Sequence, residues 1–210
     1  MTKRSPLIVA ISGGSGAGKT TFLNAVVKLV NHPYTWLKLD DYYRDLSHLS
    51  AAERDRINFD DPGALELDLF AQDLKKLVRG EKVEHPLYDF TTHTRKGMNS
   101  VKAERLIFVD GIFTLVEANM RESYNLSIYL DVANDIRFYR RLSRDTKERG
   151  RGFDNIVSQY FATVKPMHER HVEPTKVHAD MILPWDVFNQ RAVEVVAKYL
   201  HQALSQGGKS

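Results

Sequence analysis

Five short apolar runs, "PLIVAIS", "YTWLKLD", "RLIFVDG", "LSIYLDV" and "ADMILP", are spaced along the chain. Each has the length and apolar density of a strand covered on both faces. Between residues 65 and 78, Leu67, Phe70, Leu74, Leu77 and Val78 recur at helical spacing and the pattern stops at Gly80. Near the C-terminus, Val193, Val196, Ala197, Leu200 and Leu204 do the same. Strands alternating with helices predict an α/β fold, a parallel sheet flanked by helices with ligands at the carboxyl ends of its strands. The segment 80–97, "GEKVEHPLYDFTTHTRKG", follows neither pattern. Its proline, paired threonines, Tyr88, Phe90 and His93 predict a β-rich excursion with aromatic and polar tips, either a pocket for a planar ring or a cover over core.

The first apolar run leads directly into "ISGGSGAGKTTF". Strand, glycine turn and helix start, in that order, wrap backbone N–H groups around a phosphate chain, and glycines permit the approach because no Cβ intrudes. The residues concerned are Gly13, Gly14, Ser15, Gly16, Ala17, Gly18, Lys19, Thr20 and Thr21. Lys19 is expected to neutralise terminal phosphates, and Thr20 to offer its hydroxyl to Mg²⁺. The α/β fold is therefore expected to be of the P-loop NTPase type. "LKLD" ends at Asp40 and "LIFVD" at Asp110, so two carboxylates are expected near the phosphate loop. Each is either a turn former or helix cap, or a group serving a magnesium nucleotide or a hydroxyl nucleophile.

Length and composition narrow the picture. The 210 residues, 42% of them hydrophobic, suit one large domain spanning 1–210. Thirty basic against 27 acidic side chains leave a net charge of only +3, weak support for a nucleic-acid surface unless the charges cluster. The absence of cysteine excludes disulfides, thiolate metal sites and a cysteine nucleophile, and fits a reducing compartment. The apolar run after the basic N-terminal residues is too short for a signal peptide, and no run approaches the ~18 residues of a membrane span. A cytoplasmic protein without a membrane partner is expected.

Charge does cluster in "NDIRFYRRLSRDTKERGRG". Arg137, Arg140, Arg141 and Arg144 share one helix face, with Asn134 the expected N-cap, and Arg149 and Arg151 follow among glycines. This is either a solvated face whose arginines pair with Asp135, Asp145 and Glu148, or a mobile lid over 134–153 whose guanidinium groups meet phosphate oxygens.

Three functional classes remain. A GTPase-like switch would need an N-K-x-D element, which is absent, and "DDPG" at Asp60–Gly63 lacks the preceding strand. A nucleic-acid module would rest on the arginine face alone, so no nucleic-acid partner is expected. A small-molecule kinase accounts for phosphate loop, strand-end acids, pocket and lid together.

Taken with "DDYYR", "NFDDP", "PLYDFTTHTR", "FVDGIF", "RRLSRDTKERGR", "VSQY" and "VKPMHERHVEPTK", the loop "GGSGAGKTT" closely resembles the uridine kinase (uridine–cytidine kinase) family over nearly the whole chain. Kinases of phosphoribulose, pantothenate and nicotinamide riboside share the loop and fold and are the alternative. The resemblance implies ATP-dependent phosphorylation of the 5′-hydroxyl of uridine and cytidine. It implies that Asp40 is the general base and lies close to Mg²⁺, with Thr20 and Asp110 completing the metal's protein ligands. It implies that Asp60 and Arg141 hold the ribose hydroxyls, that Tyr88, His93 and Arg151, with Gln159 nearby, surround the base, and that Lys19, Arg144 and Arg149 stabilise the moving phosphoryl group. A homo-oligomer, a tetramer, and feedback inhibition by pyrimidine triphosphates are implied on the same ground. Three departures stand out: Asp110 where the family has Glu, Asp61 and Gly63 in place of His and Asp, and Trp185-Asp186 in place of Arg-Gly. The last leaves GTP open beside ATP as donor.

Overall fold

A computed structural model describes residues 5–54 and 56–206; the basic Lys3 and Arg4 lie outside the described residues. The chain opens with strand β1 (Leu7–Ser12), helix α1 (Lys19–Val30) and β2 (Tyr34–Lys38), which runs into a 3₁₀ turn, Leu39–Tyr42. A short α2 (Ala51–Arg54) and a longer α3 (Leu67–Val78) follow, then β3 (Lys82–Asp89), β4 (Thr94–Lys102) and β5 (Leu106–Asp110). After α4 (Ala118–Arg121) come β6 (Leu126–Asp131), α5 (Asn134–Arg149), α6 (Phe153–Gln159) and α7 (Lys165–Met167), with π-helical turns at Tyr160–Val164 and His168–Val172. A 3₁₀ turn (Glu173–His178), β7 (Met181–Pro184) and α8 (Gln190–Gln206) complete it.

Strands β2-β5-β1-β6-β7, in that order, form a five-stranded parallel sheet, and β3 and β4 form a separate antiparallel hairpin. All five apolar runs are therefore sheet strands. Alternate side chains divide the core. Ile8, Ala10, Ile107 and Val109 face α3 through Phe70, Leu74 and Leu77, and the same cluster reaches Val83 and Tyr88 of the hairpin. Val9, Ile11, Phe108 and Ile128 face α1 and α8 through Phe22, Leu23, Val196 and Leu200. Burial of each such aliphatic side chain contributes roughly 1.5–3 kcal/mol, so both faces hold the sheet rigidly under the site.

Two expectations are corrected here. The excursion reaches past residue 97: β4 continues to Lys102, because Val83 pairs with Val101 and Lys82 with Lys102. Asn134 is not an N-cap; it is the first residue of α5, preceded by Ala133 without a side-chain cap, and its Oδ1 accepts from Arg137 instead.

Candidate active site

The phosphate loop sits where the parallel sheet predicts, between the end of β1 and the start of α1. Gly16 (φ +81°) and Gly18 (φ +85°) use backbone geometry that side chains resist, and a Cβ on Gly16 would strike the Arg137 carbonyl. No side chain caps α1, so the N–H groups of its first turn have no side-chain acceptor and suit an anion. Lys19 is half-buried and its Nζ donates to the Gly13 and Gly14 carbonyls at 2.9 and 3.3 Å. Desolvation draws its pKa down, while Asp110 and Asp40 oppose the shift.

Strand register explains why those two acids meet it. Asp110 ends β5, opposite Ile11 of β1 on one side and Lys38 of β2 on the other. Asp40 follows two residues after Lys38, in the 3₁₀ turn rather than on the strand. Tyr42, in the same turn, donates to Asp73 of α3 at 3.1 Å and anchors it. Burial pushes the Asp110 carboxyl up to about 6, with Lys19 opposing and Asp40 reinforcing. Hard oxygens on Asp110, Asp40 and Thr20, one of them a desolvated carboxylate, fit Mg²⁺. Among the described residues no cluster of three or more acids or histidines would hold a metal unaided. Nucleotide phosphates would have to complete the ligand set.

A cleft of about 440 Å³ is lined by Phe59, Phe90, His93, Arg149, Arg151 and Gln159, among others. A narrower pocket beneath it adds Tyr43, Asp60, Tyr88 and Arg141. The expected base-side and ribose-side residues are thus brought together. His93 stacks on Phe59 with ring centroids 4.2 Å apart and shares a hydrogen bond with the Tyr88 hydroxyl at 3.2 Å. Its φ of +55° is unusual for a non-glycine residue and is held by its N–H bonding the Asp89 carbonyl. Asp60 is buried, accepts from Thr163 Oγ1 at 3.2 Å, and has its pKa raised by desolvation against the pull of Arg141. The family departure beside it is accommodated locally: Asp61 Oδ1 accepts from the Gly63 N–H at 2.7 Å and caps the following turn.

Arg141 joins this cleft to the phosphate loop, donating to Ser15 Oγ at 2.8 Å and to Gln159 Oε1 at 3.0 Å. The arginine stripe is not a solvated face. Arg137 and Arg141 are buried, and Arg140 donates to the backbone carbonyls of Trp185 and Asp186 at 3.2 and 2.6 Å. Trp185 and Asp186, another of the three departures, tie the end of β7 to its neighbours: Trp185 packs edge-on against Phe22 of α1, and Asp186 accepts at 2.8 Å from the N–H of Ala133, just before α5.

Residues 8–192 match the sequence pattern of the Phosphoribulokinase / Uridine kinase family. The chain belongs to that family. It is 43% identical over 201 residues to the uridine kinase of Staphylococcus epidermidis RP62A, covering 95% of this chain and 97% of that one. It is 40% identical over 205 residues to the uridine kinase of Staphylococcus aureus JH9, covering 97% and 99%. In fold it is similar to a Silicibacter sp. TM1040 structure (TM-score 0.69, 22% identity, 87% and 92% of the two chains). It is also similar to phosphoribulokinase from Rhodobacter spheroides (TM-score 0.61, 13% identity, 90% and 73%). Membership of this kinase family implies a nucleotide phosphate donor. No helix among the described residues is long and apolar enough to cross a membrane.

Two residues of the "VKPMHERHVEPTK" motif to which the sequence assigns no role support the site from behind. His168 is buried, with Nε2 3.2 Å from Glu173 and Nδ1 2.9 Å from where a Cβ on Gly14 would lie. Burial first, then Arg137, pushes its pKa down to about 4. The unfolded chain takes up a proton near pH 6.5 and the folded chain does not, so His168 contributes stability above 6.5 that is lost as pH falls toward 4. The slope is up to about 1.4 kcal/mol per pH unit. Asp110 acts in the opposite sense, so the readout is the difference between wild type and His168→Gln. Urea unfolding at pH 6.5 and pH 5 is expected to show a smaller loss for the variant; equal losses would remove His168 from the account.

Proposed function

We propose that this protein transfers the γ-phosphoryl group of ATP to the 5′-hydroxyl of uridine and cytidine. The observation that carries the reading is the ring-walled cleft floored by Asp60 and Arg141 and joined by Arg141 to the phosphate loop. Full-length similarity to proteins named uridine kinase supports the substrate class.

Each side chain then has a task. Phe59 and His93 offer a stacking surface for a pyrimidine, and Tyr88, Arg151 and Gln159 supply polar edges. Asp60 and Arg141 bind the ribose hydroxyls, which brings the 5′-hydroxyl toward Asp40. Asp40 accepts the proton of that hydroxyl as it attacks. Lys19, Arg144 and Arg149 meet the negative charge of the transferring group with donors already gathered around the site. Asp110, Asp40 and Thr20 would hold Mg²⁺, which neutralises phosphate charge and orients the chain when bound.

A nucleoside panel with ATP or GTP and Mg²⁺, scored by release of nucleoside diphosphate, tests the reading. Uridine and cytidine are expected to turn over, and 2′-deoxyuridine to lose roughly 5- to 150-fold in kcat/KM, because the buried Asp60, held on one oxygen by Thr163, loses the ribose partner of the other. Turnover only of ribulose 5-phosphate, pantothenate or nicotinamide riboside would overturn it.

Base choice rests on His93. Uracil presents an acceptor at O4 and cytosine a donor at N4, and a neutral imidazole can serve either by exchanging tautomer. His93→Phe is expected to change the uridine-to-cytidine ratio of kcat/KM. Equal losses for both nucleosides would make His93 a brace for the hairpin tip only.

A further inference from the structure

Asp145 lies in the last turns of α5 with its side chain fully buried, and four guanidinium groups converge on its single carboxylate. Arg144 reaches Oδ1 through Nη2 at 2.8 Å and Nε at 2.9 Å. The other three stand off. Arg149 is 3.5 Å from Oδ1, and Arg141 and Arg151 are 3.6 and 3.7 Å from Oδ2. These are ion-pair separations beyond good hydrogen-bonding distance. Oδ2 and Arg141 Nε, both buried, have no hydrogen-bond partner. The chain is folded back to make the cluster, since the N–H groups of Gly150 and Arg151 both bond the Asp145 carbonyl.

Four cations crowd Asp145 and repel one another; Asp60 opposes the charge of Arg141 and Arg151, and Asp40 that of Arg149, but only Asp145 contacts all four. Desolvation lowers the pKa of Arg141 and of Arg149, and neighbouring arginines lower both further. Arg144, Arg149 and Arg151 each keep about a third of the side chain exposed, and Arg149 and Arg151 line the cleft. Arg144 and Arg149 also act electrostatically on Lys19 and Asp40 respectively, so the cluster borders the phosphate end of the site.

We propose that Asp145 is the resting counter-ion of these arginines, a positioning residue that gathers them in the absence of phosphate and yields them to phosphoryl oxygens when the donor binds. A carboxylate presents two oxygens to a guanidinium much as a phosphoryl group does, so the exchange needs small movements rather than refolding. This rests on the phosphoryl-transfer reading above, but its anion-binding content can be measured apart from turnover.

The test is calorimetric titration of inorganic tripolyphosphate, without nucleoside or Mg²⁺, into wild type and Asp145→Asn. With the competing carboxylate gone, the variant is expected to bind tripolyphosphate ~10-fold more tightly at low salt. Its kcat for nucleoside phosphorylation is expected to fall while KM for ATP also falls, because ground-state binding gains and geometry is lost. A purely structural brace predicts the reverse: unchanged or weaker tripolyphosphate binding, with kcat and stability falling together, and that result would overturn the proposal. If Asp145→Asn does not fold, Arg144→Gln is compared with Arg144→Gln/Asp145→Asn, which carries less unbalanced charge. The same ~10-fold tightening is expected between that pair, and its absence is equally decisive. Tightening in a protein that phosphorylates no nucleoside would leave Asp145 as an anion-site counter-ion and refute the substrate assignment instead.

Discussion

Asparagine in place of Asp40 is expected to lower kcat by ~10² to 10⁴ in steady-state kinetics and to leave ATP affinity in equilibrium binding close to wild type. The amide keeps the shape of the side chain and its place in the 3₁₀ turn that Tyr42 anchors to Asp73. It removes the proton acceptor. Asp40 lies within the electrostatic reach of Lys19, Asp110 and Arg149, the groups that would surround a transferring phosphoryl group. A kcat within a few-fold of wild type would sink the assignment. Loss of Mg²⁺ affinity alone, with kcat restored at high Mg²⁺, would make Asp40 a metal ligand and leave the base unidentified.

Arg144→Ala is expected to lower kcat by about 10² to 10³ with a much smaller change in the dissociation constant for uridine, because its charge meets charge that develops only on the moving group. Arg149→Ala is expected to follow the same split. Both arginines lie at the end of α5, where Gly150 turns the chain with φ +62°. Limited proteolysis between Arg144 and Gly152 should therefore slow when both substrates are bound. Equal cutting with and without ligands would count against a closing lid, and a loss confined to uridine affinity would place these arginines in acceptor binding.

Much of this arrangement can be read from the sequence, for physical reasons that vary by element. A parallel strand covered on both faces must be apolar throughout, so "LIFVD" and "LIVAIS" declare themselves, and the glycine loop between strand and helix has few structural alternatives. The helical face of Phe70, Leu74 and Leu77 is equally plain because all three are fully buried. Strand β4 is not, since "TRKGMNSVK" has no fully buried residue and its register is set by β3 rather than by a buried face. The arginine stripe gives the periodicity of a helix but not where each guanidinium goes. Charges at i, i+4 on a helix ordinarily meet in solvent, whereas Asp145 meets its partners in the interior. Nor does any local pattern give His93 its positive φ or put Phe59, more than thirty residues away in sequence, under its ring. The long helical stretch after Gly152 contains Pro166 and two π-helical turns, and its break into short pieces follows from packing, not from periodicity.

Arg141 touches Ser15 of the phosphate loop and Gln159 of the ring-lined cleft, the proposed nucleoside side, with the two ends of one rigid, planar group. Any shift that a donor imposes on Ser15 must rotate or release the end facing the acceptor pocket. Free energy gained at one end is then shared with the other, and reciprocity requires each substrate to alter the other's affinity by the same factor. The order in which the two substrates arrive would therefore change the path to the ternary complex but not its total free energy.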